Sequence, residues 1–127
     1  MAYTTIDDPT AYFQAKTYTG NGGTNAITFD GNSDLSPDFV WLKMRSHADN
    51  HTLFNTTSGV GERLFSNLTQ AESTESTSLT AFGSDGFTLG ADALANANTK
   101  TFVSWNWKES ATAGFDIVSY TGNGSSG

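Results

Sequence analysis

Residues 101–108 place the apolar side chains Val103, Trp105 and Trp107 two apart, with Ser104, Asn106 and Lys108 between them. A period of two is that of a strand with one face buried and the other in solvent, so this segment predicts a strand with Val103, Trp105 and Trp107 in the core. Similar short runs, broken by Gly, Asn and Asp, follow one another along the chain and predict about nine strands. They cover residues 13–18, 26–29, 38–44, 52–54, 63–66, 78–82, 86–89, 101–108 and 115–120. Ser84-Asp85-Gly86 separates Leu79-Thr80-Ala81-Phe82 from Phe87-Thr88-Leu89. Asp-Gly supplies the positive φ angles of a tight turn, which predicts a hairpin over residues 78–90. Residues 68–77, rich in Glu, Ser and Thr, and residues 90–98, mostly Ala and Asn, lack this period. Both read as exposed connections with room for a helical turn, the places where a sandwich carries its binding loops.

One segment occurs twice. Phe13-Gln14-Ala15-Lys16-Thr17-Tyr18-Thr19-Gly20-Asn21-Gly22 returns as Phe115-Asp116-Ile117-Val118-Ser119-Tyr120-Thr121-Gly122-Asn123-Gly124, identical at six of ten positions. Either one fold opens and closes on matching strands, or a second tandem unit has begun. The second reading is preferred, with residues 1–12 as an N-terminal arm, 13–114 as the sandwich domain and 115–127 as the start of another repeat or an assembly strand. In that strand Phe115, Ile117, Val118 and Tyr120 are the candidate contact residues. Left unpaired, they would expose apolar groups and backbone donors, so the expectation is that the strand pairs with a sheet edge, beside residues 13–18 or in a neighbouring copy.

Composition sharpens the fold class. At 127 residues the chain fits one domain. Nine Phe, four Tyr and three Trp concentrate burial in a few large rings, while thirteen Gly and many Thr, Ser and Asn disfavour helix. The expectation is an all-β protein, a jelly roll or β-sandwich of about nine short antiparallel strands. A formal net charge of −7 argues against nucleic acid as a partner, because like charge repels phosphate. The chain has no cysteine, which removes disulfides and thiolate metal sites. No apolar run is long enough for membrane insertion, and the first residues lack the marks of a signal peptide.

The order of motifs adds a resemblance. Residues 18–22 read Tyr-Thr-Gly-Asn-Gly, 37–43 read Pro-Asp-Phe-Val-Trp-Leu-Lys, 82–90 read Phe-Gly-Ser-Asp-Gly-Phe-Thr-Leu-Gly, and 102–108 read Phe-Val-Ser-Trp-Asn-Trp-Lys. Over residues 10–127 this resembles the domains, often in tandem, of tail and other virion proteins of marine bacteriophages, related to the concanavalin A-like (laminin G, pentraxin) jelly roll. In that family the Tyr-Thr-Gly-Asn-Gly segment opens each unit. The resemblance implies a structural tail, fibre or capsid-surface module, with a homo-oligomer or other virion proteins as partners. It also implies a protein made in the host cytoplasm and released by lysis, which needs no signal peptide.

Candidate chemistry is sparse, and no enzyme is expected. Asp30-Gly31-Asn32-Ser33-Asp34 begins like a calcium loop, but Leu35 and Trp41 stand where an EF-hand needs Gly and Glu. Asp30, Asn32 and Asp34 are therefore at most a looser calcium site, and otherwise an Asx-rich turn; no other cofactor is expected. His47 and His51 have the spacing of a helical zinc pair, in a segment that reads as a turn. Asp49 and His51 lack a nucleophile elbow. Glu62, Glu72, Glu75 and Glu109 offer no evident facing pair for glycoside hydrolysis. Aromatic faces beside amides do suit sugars, and Trp41, Asn50 and His51 are the candidate residues for binding host surface glycans, the alternative function. Against that, Trp41 alternates with Phe39 and Lys43 as a core residue would.

Overall fold

The computed structural model describes residues 5–125. A short 3-10 helix, Pro9–Ala11, is capped by the Asp8 carboxylate, which accepts from the Thr10 amide at 2.9 Å. Strands β1 (Phe13–Thr19), β2 (Asn25–Thr28), β3 (Phe39–Met44), β4 (Thr52–Asn55), β5 (Glu62–Phe65), β6 (Ser73–Thr74), β7 (Leu79–Gly83) and β8 (Gly86–Leu89) follow. A single helical turn, α1 (Ala93–Asn96), precedes β9 (Thr101–Trp107). All pairings are antiparallel, in a six-stranded sheet ordered β1-β9-β3-β4-β5-β6 and a three-stranded sheet ordered β2-β8-β7. The all-β expectation and eight of the nine expected strands are borne out, and the fold is a β-sandwich. Among the described residues no helix is long and apolar enough to cross a membrane.

The two sheets close on a core of Val40, Leu42 and Phe54 from the larger sheet and Ile27, Leu79, Phe87 and Leu89 from the smaller. Fully buried rings such as Phe54 and Phe102 each contribute roughly 1.5–3 kcal/mol by leaving water. The expected hairpin forms as β7–β8, but its two turn residues are Ser84 and Asp85 and not Asp85-Gly86, and of Asp85 and Gly86 only the glycine has positive φ. Gly86 has φ +124°, and a Cβ there would sit 1.9 Å from the Ile27 carbonyl oxygen, so the close approach of β2 also demands glycine.

Two expectations are corrected. The alternation in β9 is real, but its polarity is reversed: Phe102, Ser104 and Asn106 are the buried set, and Trp105 and Trp107 are half-buried on the outer face. Period two defines two faces, and only the position of the second sheet decides which is inside. Asn106 is tolerated there because its Nδ2 donates to the Gln14 carbonyl and to Ser104 Oγ, both at 2.9 Å. Second, residues 115–120 form no strand; Phe115 makes one isolated bridge with Ser110, and the chain beyond it is irregular. The ninth strand is instead β6, two residues inside the polar stretch 68–77. The N-terminal segment is tied to the loop before β3: Asp8 Oδ2 accepts from Ser33 Oγ at 2.6 Å, and Thr10 Oγ1 accepts from the Ser33 amide at 3.1 Å.

Candidate functional site

Because β1, β9, β3 and β4 lie side by side, the residues pointing away from the core form rows across the outer face. One row runs Phe13, Trp107, Phe39, with ring centroids 4.9 and 5.5 Å apart. The next runs Ala15, Trp105, Trp41, Leu53, where the two indoles meet edge-on at 5.8 Å. Edge-to-face contacts of this kind are each worth about 0.5–1.5 kcal/mol beyond burial, so the rings hold one another in place without a second sheet above them.

The proposed glycan residues do come together at the edge of this face. Trp41 Nε1 donates to His51 Nδ1 at 2.9 Å, and the rings meet at 5.7 Å. The His51 amide donates to Asn67 Oδ1 at 3.1 Å, and Asn67 Nδ2 donates to Asn50 Oδ1 at 2.9 Å. An acceptor Nδ1 places the proton of a neutral His51 ring on Nε2. Asn67 is not among the residues expected for glycan binding, since nothing in a polar run marks it as the bridge.

Other candidates are dispersed. Asp30 pairs with Lys16 at 2.8 Å, and that ammonium holds its carboxyl below the usual range. Asn32 and Asp34 are exposed, while the loop between is tied to β1: Gln14 Oε1 accepts from the Gly31 amide at 2.9 Å, and Gln14 Nε2 donates to the Ser33 carbonyl at 2.9 Å. Among the described residues no three His, Asp or Glu side chains converge as metal ligands. His47 lies 3.6 Å from Asp49, so Asp49 orients His47 and not His51. Glu62 accepts from Thr74, Glu72 from Ser58, and Glu75 from Thr77. Glu109 lies beside Asp116, and the hydrogen bond between the two carboxyls pushes that of Glu109 above the usual range.

The polar centre of the fold is Asn96, on α1. Its Nδ2 donates to Asn21 Oδ1 at 3.0 Å, the Gly23 carbonyl at 2.6 Å and the Gly90 carbonyl at 2.7 Å. Its Oδ1 accepts from the Asn21 amide at 3.0 Å and Asn25 Nδ2 at 2.9 Å. Beside it the Tyr18 hydroxyl donates to the Ala95 carbonyl at 2.7 Å, and burial pushes that phenol's pKa up. Sequence reasoning missed this clasp because one Asn among many carries no pattern. The only available signal was Asp92, whose carboxylate caps α1 by accepting from the Leu94 amide at 3.2 Å and pairs with Arg63 at 3.0 Å.

The C-terminal segment crosses the same outer face. Phe115 stacks on Trp107 at 6.0 Å and touches Phe39 at 6.1 Å. Residues 117–120 then line a cleft with Phe39, Asn55, Leu64 and Glu72. Val118 is 72% and Tyr120 88% exposed.

These features define a small antiparallel β-sandwich that carries its indole rings on an external sheet face. The chain belongs to the family described as Domain of unknown function (DUF7483), whose model matches residues 8–127. No curated protein and no solved structure matches it.

Proposed function

We propose that this domain is a non-enzymatic structural module of a virion, a tail, fibre or capsid-surface component that assembles with its own copies or other virion proteins and adheres to surfaces. The observation that supports this reading is the external aromatic face, with Trp41, Trp105, Trp107 and Phe39 half-buried and Phe13 39% exposed. Contiguous apolar surface on a soluble protein marks a contact site, and aromatic rings lose little conformational freedom when a flat partner covers them. The resemblance to bacteriophage virion domains supplies the setting, assembly in the host cytoplasm and release by lysis. Particle-associated proteomics tests the setting. Sedimentation of the full chain tests the surface: self-association is expected, and the double variant Trp41→Ser/Trp105→Ser should reduce it while circular dichroism stays β-type. Undiminished association in that variant would refute the role of this face.

The second reading, binding of host surface glycans, is favoured by Trp41, His51, Asn67 and Asn50 forming one hydrogen-bonded group beside exposed indole surface. A glycan array run with and without calcium tests it. Retention that Trp41→Ala abolishes is the expected result, and uniform background retention would remove the reading.

A further inference from the structure

The second copy of the repeated segment has the turn geometry of the first and shares with it only the Trp107 ring, on which Phe13 and Phe115 both pack. In the first, Asn21 Oδ1 accepts from the Gly23 amide at 2.9 Å, and Gly22 has φ +69°. In the second, Asn123 Oδ1 accepts from the Ser125 amide at 2.9 Å, and Gly124 has φ +75°. The same turn is therefore made twice. What differs is the surroundings. Gly20 lies so close to α1 that a Cβ would stand 2.2 Å from the Ala97 carbonyl oxygen, whereas Gly122 has nothing within 4 Å. Tyr18 stacks on Phe102 at 5.1 Å and reaches the Ala95 carbonyl, whereas Tyr120 stands in solvent. A glycine with no close neighbour and a tyrosine with no cover have no use in the place where they are found.

We infer that residues 115–124 are a second first strand, whose binding site is the slot held here by β1, on a second copy of this unit. That slot consists of the free edge of β9 when β1 is absent, the carbonyls of Ala95 and Ala97, and the Asn96 amide. Tyr120 takes the place of Tyr18, Gly122 passes beneath Ala97, and Asn123 engages Asn96. Phe115 is the match of Phe13, and both rings already pack on Trp107. Two of the four departures explain why a copy's own β1 holds its slot. Asp116 replaces Gln14 and can accept from the Gly31 amide, but cannot donate to the Thr10 and Ser33 carbonyls. Val118 replaces Lys16 and forfeits the pair with Asp30. The second strand is the weaker ligand, so it engages a slot whose own β1 has been dislodged.

Register makes this testable in the full chain, which has no cysteine of its own. Thr19 stands opposite Thr101, so Thr121 in the slot would stand opposite Thr101 as well. A chain carrying Thr101→Cys and Thr121→Cys, with Gly20→Ala to dislodge β1, should give a ladder of interchain disulfides on mild oxidation. Adding Gly122→Ala should abolish the ladder. A second arm keeps the strand donor fully native in its own slot: a Thr121→Cys chain is mixed with a Gly20→Ala/Gly122→Ala/Thr101→Cys acceptor, and the mixed disulfide is expected. No crosslink in either arm, or crosslinking indifferent to Gly122, overturns the proposal. A disulfide formed only within single chains would place the strand in its own unit and overturn the assignment to a second copy.

Discussion

Residues 13–22 and 115–124 share six of ten residues, and the structure puts them in opposite situations. The first lies in a sheet with its tyrosine partly buried against the core and its glycine pressed against a carbonyl. The second is irregular, exposed, and touches the domain mainly through Phe115. The residues they share form the same Asx turn in both places, because that turn needs only an amide acceptor, a nearby N–H and a glycine at positive φ. Strand structure needs a partner edge, and only the first copy has one. Local geometry follows the residues, while secondary structure follows the neighbours.

Paired substitutions sharpen the contrast, and the largest effect is expected at the tyrosines. Tyr18→Ala should lose about 3–4 kcal/mol in urea unfolding, since its partly buried ring packs on the core and its hydroxyl is bonded to the Ala95 carbonyl, whereas Tyr120→Ala should stay within about 0.5 kcal/mol. A comparable loss at Tyr120 would mean that the second segment is integrated into the domain. The asparagines come next. Asn96→Ala leaves the Gly23 and Gly90 carbonyls and the Asn21 amide without their Asn96 partner and should cost about 2–4 kcal/mol, seen as a lower midpoint at an unchanged slope. Asn123→Ala removes one exposed bond and should be close to neutral. If Asn96→Ala were neutral too, the clasp would not be what fixes the first copy.

The smallest effect expected is in pH dependence, where the two segments should move in opposite directions. Lys16 lowers the folded-state pKa of Asp30, so the stability from that pair is present at neutral pH and lost as pH falls through the lowered value. Glu109 is raised by its hydrogen bond with Asp116, so its contribution is present in acid and lost as pH rises through the raised value. The start of the C-terminal segment should thus be held more firmly in mild acid while β1 loses its ion pair. Carboxyl chemical shifts followed against pH test this. A Glu109 midpoint at or below that of an ordinary glutamate would contradict it.

Much of the fold was legible before any coordinates. Eight strands and the hairpin follow from short periodic runs, Gly and Asp positions and a composition poor in helix formers, whereas the helical turn at Ala93–Asn96 lies in one of two stretches read only as connections with room for it. The failures have physical causes. Residues 115–120 have the sequence of a strand and lack an edge to join. β6 is two residues long, below the length at which a period is visible. Of the candidate site, Trp41, Asn50 and His51 were found as residue types, but Asn67, which joins them, was not.

What the sequence determined by itself was the class of fold, the positions of most strands and the existence of two alternating faces on β9, since these depend on nearest neighbours along the chain. Which face of β9 is the core was decided by tertiary structure. Phe102, Ser104 and Asn106 are turned inward and buried, which leaves Trp105 and Trp107 to pack against Trp41, Phe39 and Phe13 outside. The same holds for the repeated segment: its residues fix a turn, and the presence or absence of β9 and α1 beside it decides whether it becomes a strand.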